Sequence, residues 1–339
     1  MKKGIMAVDL FCGAGGLTRG LLDAGIIVKK GYDFDEKVKD TYEKNNEGTK
    51  FFHRNISKLS GKEVLEGIDR ENYYFLLAGC APCQPFSLIN NKIDKKDKRK
   101  NLVLAFARLI EETKPDFVLM ENVPGLKNGK GKEIFREFES RVDKKGYFYD
   151  SKILDARNFE VPQRRKRLVF SASLHFPVKI PEKSENSRKI TVREKIAKYR
   201  RIPVGKNIIP NHDVRKLSEL NIERLRNIPK NGGSRKDLPE NLILKCHKNY
   251  KGHGDVYGRM KWDDAAPTLT CKCTSISNGR FGHPSQNRGI SVREAAALQT
   301  FDDDYIFYGP ITQTTKMVGN AVPVKFAESQ GRIFLQDAA

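Results

Sequence analysis

A cysteine flanked by prolines is the residue best suited to covalent chemistry in this sequence. Cys83 lies between Pro82 and Pro85 and follows a strand predicted over residues 73–78. Prolines restrict the backbone on both sides, so the thiol is held rigidly, and a thiolate is a strong nucleophile. Cys80 and Cys83 also form a Cys-x-x-Cys pair, which leaves a redox or zinc role open. The sequence has no second such pair and no His-x-x-x-His to complete a tetrahedral site.

A glutamate stands at the end of another predicted strand. Glu121 directly follows the apolar run 116–120, and Asn122 comes next. A carboxyl group in this position can act in general acid–base catalysis. The alternative is a surface carboxylate at a strand terminus.

A glycine-rich turn follows the first predicted strand. It contains Gly13, Gly15 and Gly16, and Asp33 follows about twenty residues later, after a second strand. Glycines let the backbone approach a ligand, and an acidic group here can accept hydrogen bonds from ribose hydroxyls. A dinucleotide site shares this plan, but Thr18 occupies the position of its third glycine. A tight turn without a ligand is the remaining alternative.

Short apolar runs and amphipathic segments alternate in the first half of the chain, which predicts a parallel α/β sheet. Polar residues follow the ends of the strands, where open α/β sheets bind ligands. The predicted strands cover 6–11, 26–31, 73–78 and 116–120, and the predicted helices cover 16–24, 101–113 and 322–335.

The composition indicates a polyanionic partner. The 339 residues have a formal net charge of +21, and lysine and arginine bind phosphates with release of counterions. A basic surface that only faces solvent is the alternative. The six cysteines form no paired framework, and neither a signal peptide nor a membrane span is evident. We therefore expect free thiols, a cytoplasmic location and no membrane association.

The composition changes after residue 170. Residues 181–289 are rich in Lys, Arg, Asn, Gly and Ser and show weaker periodicity. We predict a catalytic and cofactor-binding domain at 1–180, a smaller target-recognition domain at 181–305, and a C-terminal segment at 306–339 that returns to the first domain.

Several short motifs occur together in one order along nearly the whole chain, outside about 181–266. They are Phe11-x-Gly13-x-Gly15, Pro82-Cys83-Gln84, Glu121-Asn122-Val123, Gln163-Arg164-Arg165-Lys166-Arg167, Val292-Arg293-Glu294-Ala295, Leu298-Gln299-x-Phe301 and Gly319-Asn320-Ala321-Val322-Pro323. In this combination the sequence resembles the DNA (cytosine-5) methyltransferases of the prokaryotic restriction-modification type. The resemblance implies an α/β fold with the Rossmann-like sheet of S-adenosylmethionine-dependent methyltransferases and a smaller target-recognition domain.

The resemblance also implies a mechanism. The Cys83 thiolate adds to C6 of cytosine, and Glu121 supplies a proton or hydrogen bond at N3. Arg165 contacts O2 of the cytosine, and Arg167 stabilises the active-site loop or a phosphate. Solvated or phosphate-bound arginines are the alternative for the last two.

S-adenosylmethionine is the cofactor that the resemblance implies, without a metal. Asp33 would bind its ribose and Phe34 its adenine, whereas Asn55 stands where the family more often has aspartate. The residues expected to bind the cofactor are Asp9, Phe11, Gly13, Gly15, Gly16, Leu17, Asp33, Phe34, Asn55, Ile56, Pro82, Leu102, Asn320 and Val322.

The target carbon lies inside duplex DNA, so the nucleotide must be flipped out. The basic run 90–100 is expected to form a mobile lid over phosphate, or else a solvated loop. Pro267-Thr268-Leu269-Thr270 resembles a short motif of the family's target-recognition region. The residues expected to contact DNA are Ser87, Lys95, Lys96, Arg99, Gln163, Arg259, Thr268, Thr270, Lys272, Ser277, Asn278 and Arg280.

The expected partners are double-stranded DNA and a cognate restriction endonuclease, and the expected state is a monomer. Two rival hypotheses are a tRNA cytosine-5 methyltransferase and a DNA-binding regulator without catalytic activity. The sizeable basic lobe favours DNA over tRNA, and the presence of Cys83, Glu121 and Arg165 favours an enzyme over a regulator.

Overall fold

The computed structural model describes residues 3–82, 101–185, 187–199, 202, 209–248 and 254–336. The chain forms two compact units. The first, called the sheet unit here, comprises Met1–Phe159, Lys166–Ser187 and Val322–Ala339. The second unit comprises Glu160–Arg165 and Arg188–Ala321, and it therefore extends beyond the boundary predicted at residue 305.

The sheet unit contains a seven-stranded sheet with strand order β3-β2-β1-β4-β5-β7-β6. Its strands are β1 (Gly4–Leu10), β2 (Ile27–Asp33), β3 (Lys50–His53), β4 (Tyr73–Gly79), β5 (Phe117–Asn122), β6 (Phe148–Asp155) and β7 (Lys166–Ser173). Strands β1 to β5 pair in parallel, whereas β7 pairs antiparallel with both β5 and β6. The predicted α/β fold is confirmed, and the antiparallel pair at one end of the sheet is an addition to it.

The helices of the sheet unit lie on both faces of this sheet. They are α1 (Gly16–Asp23), α2 (Lys39–Asn45), α3 (Gly61–Leu65), α4 (Leu102–Thr113), α5 (Pro124–Asn128), α6 (Lys132–Asp143) and α11 (Val324–Gln336), with short 3₁₀ helices at Glu36–Val38 and Ala156–Phe159. Val118 packs in the apolar core that includes residues of α4 and α6, whereas its neighbour Phe117 stacks on Phe334 of α11. Because successive side chains of a strand point to opposite faces, the sheet is covered on both sides.

Close packing of α1 against α11 depends on a glycine. A Cβ added at Gly20 would lie 2.5 Å from the Ala327 Cβ and 2.5 Å from the Val324 carbonyl oxygen. The two helices can therefore approach only because residue 20 has no side chain. This contact secures α11, which was predicted over 322–335, to the sheet unit.

The second unit is built mainly from loops. Its helices are α7 (Val192–Ile196), α8 (Glu219–Asn227), α9 (Val292–Leu298) and α10 (Ile311–Asn320), with 3₁₀ helices at Arg235–Asp237, Glu240–Leu242, Lys245–His247 and Ile276–Asn278. A small apolar cluster includes Leu225, Ile228, Leu242 and Ile276. The loop-rich character agrees with the sequence, and the role of this region in target recognition stays a prediction. Among the described residues, every helix is too short or too polar to span a membrane.

Candidate active site

The loop after β1 has an unusual backbone, in which several residues are left-handed. Phe11, Gly13 and Gly15 have φ angles of 60°, 51° and 87°. The left-handed region is costly for a residue with a large side chain such as Phe11, and strained residues of this kind cluster at functional sites. A Cβ added at Gly13 would meet nothing within 4 Å, so a ligand can approach the backbone here.

Asp33 connects the end of β2 to this loop. Its Oδ2 accepts a hydrogen bond from the Gly13 N–H at 2.9 Å, and its Oδ1 accepts one from the Asp35 N–H at 2.8 Å. Burial raises the pKa of Asp33, and the backbone hydrogen bonds partly offset this rise. The structure thus brings together two of the predicted cofactor residues, Gly13 and Asp33.

Phe34 follows Asp33 and is 71% exposed. The centroid of its ring lies 5.7 Å from that of His53, the last residue of β3, which pairs with Asp33 in the sheet. An aromatic face open to solvent beside a carboxylate and bare glycine backbone suits the adenine and ribose of a nucleoside. These residues therefore fit the adenosyl part of S-adenosylmethionine.

Asn55 and Ile56 follow β3 at the same edge of the sheet. Ile56 is buried in the apolar core. The Asn55 Oδ1 already accepts hydrogen bonds from the Ser57 hydroxyl at 2.7 Å and the Ser57 N–H at 3.1 Å. The acceptor oxygen of this amide is thus engaged within the chain, and its contact with adenine stays a prediction.

Asp9 is fully buried beneath the glycine loop. Its Oδ2 accepts a hydrogen bond from the Thr18 hydroxyl at 2.7 Å, and that hydroxyl lies 2.8 Å from the Tyr42 hydroxyl. The other oxygen, Oδ1, has no hydrogen-bond partner among the described residues. Burial raises the pKa of Asp9 to about 7. Asp9 therefore supports the loop from below, because it links β1 to α1.

Glu121 lies at the end of β5 and is 5% exposed. Its Oε2 accepts a hydrogen bond from the Cys80 thiol, with Sγ and Oε2 2.9 Å apart. The Arg167 Nε lies 2.9 Å from Oε1 and forms an ion pair, although this oxygen lacks hydrogen-bond alignment with any partner. The structure thus pairs Arg167 with Glu121, a contact that the sequence analysis did not anticipate.

The side-chain amide of Asn122, next to Glu121, also connects β5 to the segment after β4. The Asn122 Nδ2 donates a hydrogen bond to the Ala81 carbonyl at 3.1 Å, and the Cys80 N–H donates to the Leu10 carbonyl at 3.2 Å. The segment that leads to Cys83 is therefore fixed to the ends of β1 and β5. Cys83 itself lies outside the described residues, as do Ser87, Lys95, Lys96, Arg99 and the predicted lid.

Arg165 belongs to a buried polar network within the second unit. Its Nη1 donates to the Leu269 carbonyl and its Nη2 to the Ala321 carbonyl, both at 3.1 Å. Gln163 accepts from the Leu269 N–H and donates to the Gln299 Oε1, both at 2.8 Å. Four motifs that are distant in sequence meet here, and each supplies backbone or side-chain groups to the others.

Three of the residues expected to contact DNA have interior roles in the second unit. Arg259 is 1% exposed, and its guanidinium donates to four backbone carbonyls and to the Asn287 side chain. Gln163 is fully buried, and Arg280 donates to three backbone carbonyls while paired with Asp255. Arg259 and Gln163 are thus both buried in the described chain, and their assignment as DNA contacts stays a prediction.

The other predicted residues differ in burial. Lys272, Ser277 and Asn278 are exposed, and Thr268 and Thr270 are half-buried. Phe11, Pro82 and Leu102 are half-buried, Gly15, Gly16, Leu17 and Val322 are buried, and Asn320 is exposed at the end of α10 in the second unit.

Sequence reasoning missed the role of Cys80 at this site. The parallel register pairs Gly79 of β4 with Met120 of β5, so the residues that come next along the chain are Cys80, directly after β4, and Glu121, in β5. Adjacency of the two strands would have been enough to predict the contact. The sequence does not state which strands are neighbours, and Cys80 was therefore considered only as a redox or zinc partner of Cys83.

The sheet is an open α/β sheet, and Asp33 faces the glycine loop at one strand end. The buried Glu121 lies beside the segment that contains Cys80. This arrangement is typical of α/β enzymes that bind a nucleoside cofactor. Comparison with known proteins gives the family. Residues 5–334 match the C-5 cytosine-specific DNA methylase family, and this chain belongs to it. It is accordingly a DNA (cytosine-5) methyltransferase, a class that uses S-adenosylmethionine.

Three similar proteins illustrate the relationship. The type II methylase M.HgiDII of Herpetosiphon aurantiacus is 40% identical over 330 residues, which cover 94% of this chain and 91% of that protein. The type II methyltransferase M1.HphI of Haemophilus parahaemolyticus is 32% identical, over 95% of this chain and 84% of its own length. The solved structure of the Entamoeba histolytica methyltransferase EhMeth superposes with a TM-score of 0.70 at 19% identity, covering 99% of each chain.

Proposed function

We propose that this chain methylates C5 of a cytosine within a specific sequence of double-stranded DNA, with Cys83 as the covalent nucleophile on a flipped-out base. The modification would protect the DNA from a partner restriction endonuclease, in a restriction-modification system. The names of the two type II relatives support this biological role.

The observation that carries the proposal is the buried contact between Glu121 and the segment that ends directly before Cys83. The Cys80 thiol and the Asn122 amide join the ends of β4 and β5. A nucleophile that follows Pro82 and a carboxyl group at the end of β5 would then act on one ring. Asp33 is the last residue of β2 in the same sheet, and the exposed Phe34 follows it.

The proposed reaction uses these residues in order. The Cys83 thiolate forms a bond to C6, and Glu121 gives a proton or hydrogen bond to N3 as electrons move into the ring. When bound, S-adenosylmethionine would supply the methyl group that the electron-rich C5 takes up, and S-adenosylhomocysteine would leave as the product. A base then removes the C5 proton, the electron pair returns to the ring, and the Cys83 thiolate leaves.

Trapping on a modified duplex tests the covalent step. A duplex with 5-fluorocytosine at the target should become covalently attached to the wild-type enzyme, because fluorine cannot leave as the proton does. Cys83→Ser should lose turnover by at least about a thousandfold, the order seen when a nucleophile is removed, while cofactor binding changes little. A Cys83→Ser enzyme that still forms the adduct, or that loses cofactor binding instead, would contradict the proposed role.

A second experiment identifies the substrate. Duplex DNA and tRNA compete for transfer of a radiolabelled methyl group, and we expect label in DNA. Bisulfite sequencing of DNA from cells that express the protein should show 5-methylcytosine in one sequence motif. Label in tRNA alone would favour the tRNA enzyme, and no methylation of either would favour a regulator without activity.

A further inference from the structure

We propose that Cys80 is a positioning residue for Glu121, and that its thiol orients the carboxylate toward the substrate ring. This inference rests on the proposed function, because it assigns Cys80 a part in the step that Glu121 performs. It gives the first cysteine of the Cys-x-x-Cys pair a role that is neither redox nor metal binding.

Backbone hydrogen bonds hold the Cys80 segment in place independently of the Cys80 side chain. Its N–H donates to the Leu10 carbonyl at 3.2 Å, and the next carbonyl, that of Ala81, accepts from the Asn122 amide at 3.1 Å. The register of β4 and β5 places Cys80 beside Glu121. The segment directly after β4 is therefore fixed to β1 and β5, and this holds the thiol on the carboxylate.

The two oxygens of the Glu121 carboxylate are held from different sides. The Cys80 thiol donates to Oε2 at 2.9 Å, and the Arg167 guanidinium on β7 contributes positive charge 2.9 Å from Oε1. Two contacts on two oxygens fix the plane of a carboxylate, whereas one contact would leave it free to rotate.

The chemistry of a thiol suits this position. A thiol is a neutral, weak hydrogen-bond donor, so it can orient the carboxylate without binding it as tightly as a charged donor would. In its protonated form, the Glu121 carboxyl group therefore stays available to donate to the pyrimidine N3. Among the described residues, Cys80 also belongs to no cluster of three or more His, Cys, Asp or Glu side chains that could hold a metal.

Two variants separate a positioning role from a structural one. Cys80→Ala removes the donor and should slow single-turnover methyl transfer about tenfold, the order of effect expected from the loss of one hydrogen bond. The KM for duplex DNA and the cofactor dissociation constant should stay unchanged. Cys80→Ser restores a donor and should recover most of the rate. Cys246→Ala, at an exposed cysteine of the second unit, is the matched control.

A spectroscopic measurement tests the contact without relying on activity. The S–H stretching band of Cys80 is identified in the infrared spectrum as the band lost in Cys80→Ala. We expect it to move to higher frequency in Glu121→Ala, because the thiol loses its acceptor. A band that does not move would overturn the inference, even if Cys80→Ala folds poorly.

The remaining outcomes distinguish this inference from the proposed function. If 5-fluorocytosine traps the wild-type enzyme but Cys80→Ala transfers methyl groups at the wild-type rate, only the role of Cys80 is wrong. An equal loss in Cys80→Ala and Cys80→Ser would also contradict it, because a donor would then be unimportant. If the wild-type enzyme is not trapped, the proposed function itself fails.

Discussion

The two units of this chain bury their polar groups in different ways. The sheet unit has a regular apolar core, and its candidate active-site side chains stand at the C-terminal ends of strands, as Asp33 of β2 and Glu121 of β5 do. Within its described residues, the second unit has isolated bridges in place of strands, and arginines fill its interior. Arg259 and Arg293 are among the largest fully buried side chains of the described chain.

In the second unit, buried arginine side chains donate hydrogen bonds to backbone carbonyls that would pair with a neighbouring strand in a sheet. Backbone carbonyls that lie in irregular segments still need donors when they are buried. Arg259 supplies four of them, and Arg293 binds the carbonyls of Pro210, Asp302 and Tyr305. A high arginine content therefore does not mean that every arginine faces a phosphate, and part of the +21 charge serves the fold.

The largest loss of stability is expected on substitution of Arg259, which tests whether buried arginines stabilise the second unit. Arg259→Met should destabilise the protein by about 5 kcal/mol, because several buried acceptors lose their donor and each costs about 1 to 3 kcal/mol. Urea unfolding measures the loss. Arg226→Met removes the same charge from an exposed position on α8 and should have little effect. A stable Arg259→Met protein that binds DNA weakly would instead make Arg259 a phosphate contact.

Asp9 should make the sheet unit less stable as pH rises. The pKa of Asp9 is raised from 3.8 to about 7, so the folded protein holds a proton that the unfolded chain releases above about pH 4. Stability is then lost from about pH 4 to 7, by on the order of 4 kcal/mol in total. Asp9→Asn should remove this dependence, whereas Asp40→Asn, at an exposed carboxylate of α2, should retain it. The measurement is the free energy of unfolding across this pH range. The same pH dependence in the wild type and in Asp9→Asn would contradict the prediction.

His283 should give the second unit the opposite pH dependence. Burial lowers the pKa of His283 from 6.5 to about 4, and its Nδ1 accepts hydrogen bonds from the Ser285 and Gln286 N–H groups. The unfolded chain therefore binds a proton first as pH falls, and about 3 kcal/mol of stability is lost between about pH 6.5 and 4. His283→Asn keeps an acceptor and should flatten this loss.

Hydrogen exchange resolved by peptide compares the two units directly. Peptides around His283 should lose protection in mildly acidic buffer in the wild type but less in His283→Asn. His53→Asn, at an exposed histidine of the sheet unit, is the control. Equal acid sensitivity in the wild type and His283→Asn would show that burial of this ring does not govern the second unit.

Much of the sheet unit could be predicted because its patterns are local. Predicted strands 73–78 and 116–120 correspond to Tyr73–Gly79 and Phe117–Asn122, and predicted helix 101–113 corresponds to Leu102–Thr113. Apolar runs and helical periodicity report which side chains are buried within one element. For the second unit, only the loop-rich character could be predicted, because irregular segments have no hydrophobic periodicity.

The sequence by itself determined the family, the elements of the sheet and the residue types available for chemistry, since motifs and periodicity are properties of neighbouring positions along a chain. Only the tertiary structure decided which of these residues meet. It placed the Cys80 thiol on Glu121, paired Arg167 with the same carboxylate, and turned Arg259 inward. These outcomes depend on strand order and on where buried carbonyls need donors, and both are set by contacts between residues far apart in sequence.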